Sequence, residues 1–191
     1  SLTCTTLLAQ QGGYVLINGK VRQDNKPVGG VTIQISSAGV ESKTVTSKEN
    51  GTFIVNLDFH KDYTITFVKY GLVSKTVEFN TKVPPEEADI IIQTEFNIDM
   101  FNDLAGVSQT SAMNKPVAKF AYSATYQDFV FDANYSKQIK SEQDLARREA
   151  EEKNRLLERA RLDSLNKVWN DSLVKVKEKE ALLLSQKSEQ D

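Results

Sequence analysis

The sequence predicts a mainly β N-terminal half, a small two-sheet sandwich over residues 12–100, then an aromatic β-hairpin within 101–135 and a long helical segment over 136–188. Three observations carry this expectation. Apolar and polar residues alternate through the first hundred positions, with turn residues every eight to twelve, the pattern of half-buried strands. Beyond Tyr135 there is no Gly or Pro, and Ala, Leu, Glu, Lys, Arg and Gln, the strong helix formers, dominate. Charge divides at the same place: residues 136–191 carry 13 Lys+Arg and 12 Asp+Glu, while the preceding 135 residues carry 11 and 14. The formal net charge of -2 is therefore an average over two unlike pieces.

Residues 1–11, SLTCTTLLAQQ, form a short apolar and small-residue run that reads as the remnant of a secretory leader, with cleavage near Ala9 or Gln10. Two other readings stay open: a lipoprotein acylated at Cys4, and a terminus without fixed structure. The first strand is expected over 14–22. In the second, Val31, Ile33 and Ile35 face one side and Thr32, Gln34 and Ser36 the other. Residues 40–47, rich in Ser, Thr and Lys, read as an edge strand blunted by polar side chains. Asn50-Gly51 is expected to supply the positive φ angles of a tight hairpin, beyond which Phe53, Val55 and Leu57 alternate inward. Tyr63, Ile65 and Phe67 make the next inward row, Tyr70-Gly71 turns the chain, and residues 73–79 return. Ile90, Ile92, Phe96, Ile98 and Met100 share one parity on a final long strand.

Five of these stretches, in order, resemble one known family. Gly19-Lys20-Val21, the run Pro27 to Ile33, Thr46 to Phe53 with Asn50-Gly51, Tyr63 to Phe67, and Lys69-Tyr70-Gly71-Leu72 are similar to the carboxypeptidase regulatory-like domain. The resemblance covers about residues 14–98 and implies a seven-stranded Greek-key sandwich of the prealbumin (transthyretin) type. It also implies a non-catalytic accessory module, of a kind common in cell-envelope proteins of the Bacteroidetes. A carboxypeptidase's own zinc domain would be separate, and no His-x-x-Glu pair occurs in this chain.

Residues 101–113, rich in Asn, Asp, Ser, Thr and Gly, read as a surface loop. Lys115-Pro116-Val117 opens a strand with Phe120, Tyr122 and Ala124 on one face, and Tyr126-Gln127-Asp128 turns it toward Phe129-Val130-Phe131. A hairpin this short is marginal alone, so it is expected to pack on the sandwich, on the following helix or on a partner. Two readings of its rings stand side by side: a carbohydrate-stacking surface built on Tyr122, Tyr126 and Phe129, and a small core joining domain to helix.

The helical segment is expected as one long helix or two. Ile139, Ala146, Ala150, Leu157 and Ala160 fit one heptad frame; Leu162, Leu165, Trp169, Val176 and Leu183 fit another. The hand-off near 157–162 reads as a stutter or a break, either of which weakens a uniform coiled coil. The stripe Leu165, Trp169, Leu173 and Val176 is the candidate partner-binding face. The alternative is that it packs on the protein's own domain while the charged faces are solvated.

The same residues exclude several chemistries. Near-balanced charge leaves no basic field for nucleic acid. One cysteine rules out an internal disulfide, and Cys4 with His60 cannot make a Cys/His zinc cluster. Neither GxxxxGK[ST] nor GxGxxG occurs, so no nucleotide cofactor is expected. Asp128 with Asp132, His60, and the acidic run Glu86, Glu87 and Asp89 are candidate acid/base or calcium groups that read better as turn and loop residues. No stretch reaches the roughly 20 apolar residues of a membrane-spanning helix.

The expectation is therefore an exported, non-enzymatic envelope protein without a catalytic, cofactor or metal site, in the periplasm or at the outer membrane. Its sandwich would serve as a recognition or spacer module and its helix would contact other envelope proteins or a second copy. The alternatives are the N-terminal extension of a TonB-dependent outer-membrane receptor and a glycan-binding module.

Overall fold

The computed structural model describes residues 12–104, 107–108 and 110–188. The leader reading and Cys4 fall on residues 1–11, outside the described residues. Two compact units are present, one ending at Arg147 and the other starting at Arg148.

In the first unit, ten strands form two sheets. β1 (Tyr14–Gln23) is central to the smaller sheet. It pairs antiparallel with β5 (Thr52–Asp58) and the two-residue β2 (Lys26–Pro27), and parallel with β8 (Ile91–Met100) over its full length, Tyr14 opposite Ile91 and Gln23 opposite Met100. The larger sheet runs β10-β9-β7-β6-β3-β4, built from β3 (Thr32–Ser37), β4 (Val40–Thr46), β6 (Asp62–Val68), β7 (Lys75–Asn80), β9 (Ala118–Ser123) and β10 (Asp128–Phe131). β4 lies at one edge of this sheet, as its polar composition predicts.

The expected inward rows are in the observed core: Val31, Ile33, Ile35, Phe53, Val55, Leu57, Tyr63, Ile65 and Phe67 are buried, joined by Val15 and Ile17 of β1. On β8, Ile92, Ile98 and Met100 point inward and Phe96 packs against the core, whereas Ile90 is exposed before the strand begins. Gly19 faces Phe53, where an added Cβ would come within 2.2 Å of the ring, so only glycine lets the aromatic lie across β1.

The turn at Asn50-Gly51 differs from the expectation. Gly51 has the positive φ of 78°, but Asn50 does not, and β4 and β5 belong to different sheets, so the turn carries the chain across the sandwich and closes no hairpin. Asn50 Oδ1 accepts hydrogen bonds from the Thr52 amide and hydroxyl, which makes it a side-chain cap for the crossing.

The expected surface loop over 101–113 is anchored: Val107 and Met113 are buried through a succession of tight turns. The hairpin β9–β10 is part of the larger sheet. β9 pairs in parallel with β7, with Val77 opposite Ala118 and Phe79 opposite Phe120, so its backbone finds in the sandwich the partner that an isolated hairpin lacks.

The C-terminal segment is one helix, α1 (Ala133–Ser188), continuous through the region where the two heptad frames meet. It starts three residues earlier than expected because Asp132 caps it: its Oδ1 accepts from the Tyr135 amide at 3.0 Å and its carbonyl from the Ser136 amide at 2.9 Å.

Candidate functional site

The candidate partner face lies on the part of α1 beyond Arg147. Trp169 is 66% exposed, Leu165 55%, Val176 53% and Leu173 42%. Leu156, Leu157, Leu162, Val168 and Val174 are exposed as well, so the apolar side chains form a broad band and not a single seam. Ordinary helix chemistry surrounds them: Arg155 pairs with Glu152 at 2.7 Å, and Ser172 Oγ donates to the Val168 carbonyl one turn back.

The hairpin aromatics divide. Phe129 is 3% exposed and belongs to the core, which corrects its assignment to an aromatic surface. The physical reason is strand parity together with the addition of β9 to the sheet: Phe120 and Phe129 turn inward, where Phe120 stacks on Phe79 at 5.0 Å and Phe129 lies 5.1 Å from Phe79. Tyr122 packs partly against the core, 5.7 Å edge-on to Phe129, and its hydroxyl donates to Glu87 Oε1 at 3.2 Å. Tyr126 is 73% exposed, so the three rings present no common face.

The candidate acid/base groups have local duties. Asp128 Oδ1 accepts from the Phe129 amide, and Asp132 caps α1. His60 sits between β5 and β6 at a φ of 59°, its amide donating to the Thr81 carbonyl. Among the described residues no three His, Cys, Asp or Glu side chains gather as a metal-binding group. No helix among them is long and apolar enough to cross a membrane.

A second feature was not read from the sequence. A cleft of about 640 Å³ opens between β8, the start of β9 and the first turns of α1, and Lys75 lines it. Lys75 occupies the inward row of β7 with Val77 and Phe79 and is 4% exposed. Its Nζ donates to Gln143 Oε1 and lies 4.2 Å above the centre of the Phe101 ring. Gln143, also buried, donates in turn to the Ala112 carbonyl at 3.0 Å, and the Arg147 guanidinium stands 5.4 Å from the same Phe101 ring. No carboxylate comes within ion-pair distance of Lys75 among the described residues. Burial pushes its ammonium down to about 8, against the more distant pull of Asp144 and Asp99 and with help from Arg147. The signal was present in the sequence: in residues 73–79, Lys75 falls in the apolar parity.

The fold and the helix face together define a β-sandwich carrying an extended charged helix. No family model matches the chain. No curated protein matches it. Solved structures with a similar course of chain include a DUF3823 family protein from Parabacteroides merdae, at 19% identity, covering 48% of this chain and 48% of that one with a TM-score of 0.36. A candidate carbohydrate-binding protein from Bacteroides uniformis matches at 14% identity, 58% and 48% coverage and a TM-score of 0.33. The 3-chlorocatechol 1,2-dioxygenase of Rhodococcus opacus matches at 11% identity, 47% and 60% coverage and a TM-score of 0.36. The chain thus spans about half the length of these proteins.

Proposed function

We propose that the chain is an exported, non-enzymatic component of a bacterial cell envelope, a sandwich module of the carboxypeptidase regulatory-like type joined to a helix that makes contacts with another protein chain. The observation that carries the reading is the exposure of Leu165, Trp169, Leu173 and Val176 on one stretch of α1. Burying a large apolar side chain contributes on the order of 1.5–3 kcal/mol, so four such residues in water, with Leu162 and Val168 beside them, leave a substantial driving force unused. The charged residues between them keep the helix soluble without hiding the band, and an amphipathic helix laid into a partner's groove is a common mode of docking. The sandwich supports this role as a base for the helix, its apolar core running from Val15 on β1 to Phe129 on β10.

The test is crosslinking and affinity capture from the native envelope with wild-type protein and Trp169→Asp. Loss of captured partners in the variant, with the β-rich spectrum unchanged, is the expected result. An identical partner list for both proteins overturns the docking role.

A further inference from the structure

We propose that Lys75 is a reactive amine that condenses with a small neutral aldehyde or ketone entering the cleft between β8 and the first turns of α1, forming a Schiff base. Geometry comes first. The side chain is held at the wall of an open cleft by Gln143 and by the face of Phe101, so the amine does not swing among solvent-exposed rotamers. Its one hydrogen bond, to the Gln143 amide oxygen, occupies a single N–H, so the deprotonated amine keeps its lone pair for a ligand. Ser136 Oγ, which lines the same cleft, is buried with no hydrogen-bond partner among the described residues. A ligand bearing a carbonyl and a second polar group would meet both deficits.

The surrounding charge selects among electrophiles. The groups facing the cleft are Asp24 from the turn after β1, Glu95 and Asp99 on β8, and Lys140, Asp144 and Arg147 on α1. Asp99 and Asp144 favour a cation at Lys75, and the face of Phe101 favours it as well. Acylation or carbamate formation would destroy that cation, whereas a protonated imine retains it. The step balances without an oxidant or reductant. The lone pair of the neutral Nζ forms the C–N bond and the carbonyl π pair moves to oxygen, which takes a proton from solvent; that hydroxyl then leaves with one Nζ hydrogen as water, and the nitrogen pair so released closes the C=N bond of the iminium. Burial and the nearby Arg147 supply the free amine: with its ammonium lowered to about 8, on the order of one Lys75 in ten is neutral at pH 7, against about one in several thousand for an ordinary lysine.

The probe is butanal with sodium cyanoborohydride, which reduces the iminium and leaves a stable butyl mark. Peptide mapping of the full chain gives a rate at each lysine. Lys75 is expected to be alkylated at least tenfold faster at pH 7 than the exposed Lys167 and Lys177, with its rate half-maximal near pH 8. Lys75→Arg, which keeps the charge, is expected to lose the fast site and keep the circular dichroism spectrum. Alkylation of Lys75 no faster than that of Lys167 and Lys177 overturns the proposal, because a merely structural, sealed lysine would react more slowly than an exposed one.

Discussion

Lys75 stands where strand alternation asks for an apolar side chain. A charge placed there is tolerated because Gln143 and Phe101 face it, yet its desolvation is not offset by a close carboxylate. The cost has a pH signature. In the folded chain Lys75 titrates near 8, whereas the unfolded chain restores the ordinary lysine value near 10.4, so between these values the unfolded state binds the extra proton and stability rises with pH. Tyr63, Tyr122 and Tyr135, whose hydroxyls burial pushes up, act in the opposite sense only above about pH 10, outside the measured range. Urea unfolding is expected to show a gain of about 2 kcal/mol from pH 7.5 to 9.5, and Lys75→Met is expected to show none. An equal gain in the variant would remove Lys75 as its source.

Elements in this chain are completed by groups just outside them. α1 begins at Ala133 because Asp132 satisfies amides that the first helical turn leaves without partners. Behind the cap, Tyr135 donates to the Pro116 carbonyl at 3.0 Å, and Lys115 pairs with Glu142 at 2.8 Å, tying the first turns to the approach of β9. Asp132→Ala is expected to cost about 1 kcal/mol in urea unfolding followed by β-strand ellipticity, while Asp132→Asn, which keeps an acceptor, stays near wild type. A cost shared equally by both variants would point to the charge and not to the cap. β9 shows the same dependence: its short hairpin with β10 is completed by the parallel edge of β7, which lets Phe120 turn into the core.

At the scale of the molecule, the division at Arg147 separates a unit stabilised by a continuous core from one that is a helix with its apolar side chains in water. The first unit holds the two sheets, the aromatic packing around Phe79 and the start of α1. A chain ending at Arg147 is therefore expected to unfold cooperatively within a few degrees of the full chain's midpoint by differential scanning calorimetry. A truncated chain without a cooperative transition would show that residues after 147 contribute to the core.

Much of the fold was legible because it depends on local repetition. Alternation of Ile33 with Ile35 and of Phe53, Val55 and Leu57 names the inward rows whatever the strands later pair with, and the absence of Gly and Pro after Tyr135 names the helix. The four residues Leu165, Trp169, Leu173 and Val176 follow from the same helical period, and the structure leaves them exposed. What repetition does not encode is which strand lies beside which. That Asn50-Gly51 crosses between sheets, that β9 joins β7, and that Phe129 is core and not surface are outcomes of long-range pairing. The cleft at Lys75 belongs to this second kind. By itself the sequence determined the elements, their inward faces and the separation of a sparsely charged sandwich from a densely charged helix, since these follow from side-chain period and composition. Only the tertiary structure decided the sheet partners and the surroundings of Lys75, because a buried amine acquires its properties from Phe101, Gln143 and Arg147, residues tens of positions away that share no local pattern with it.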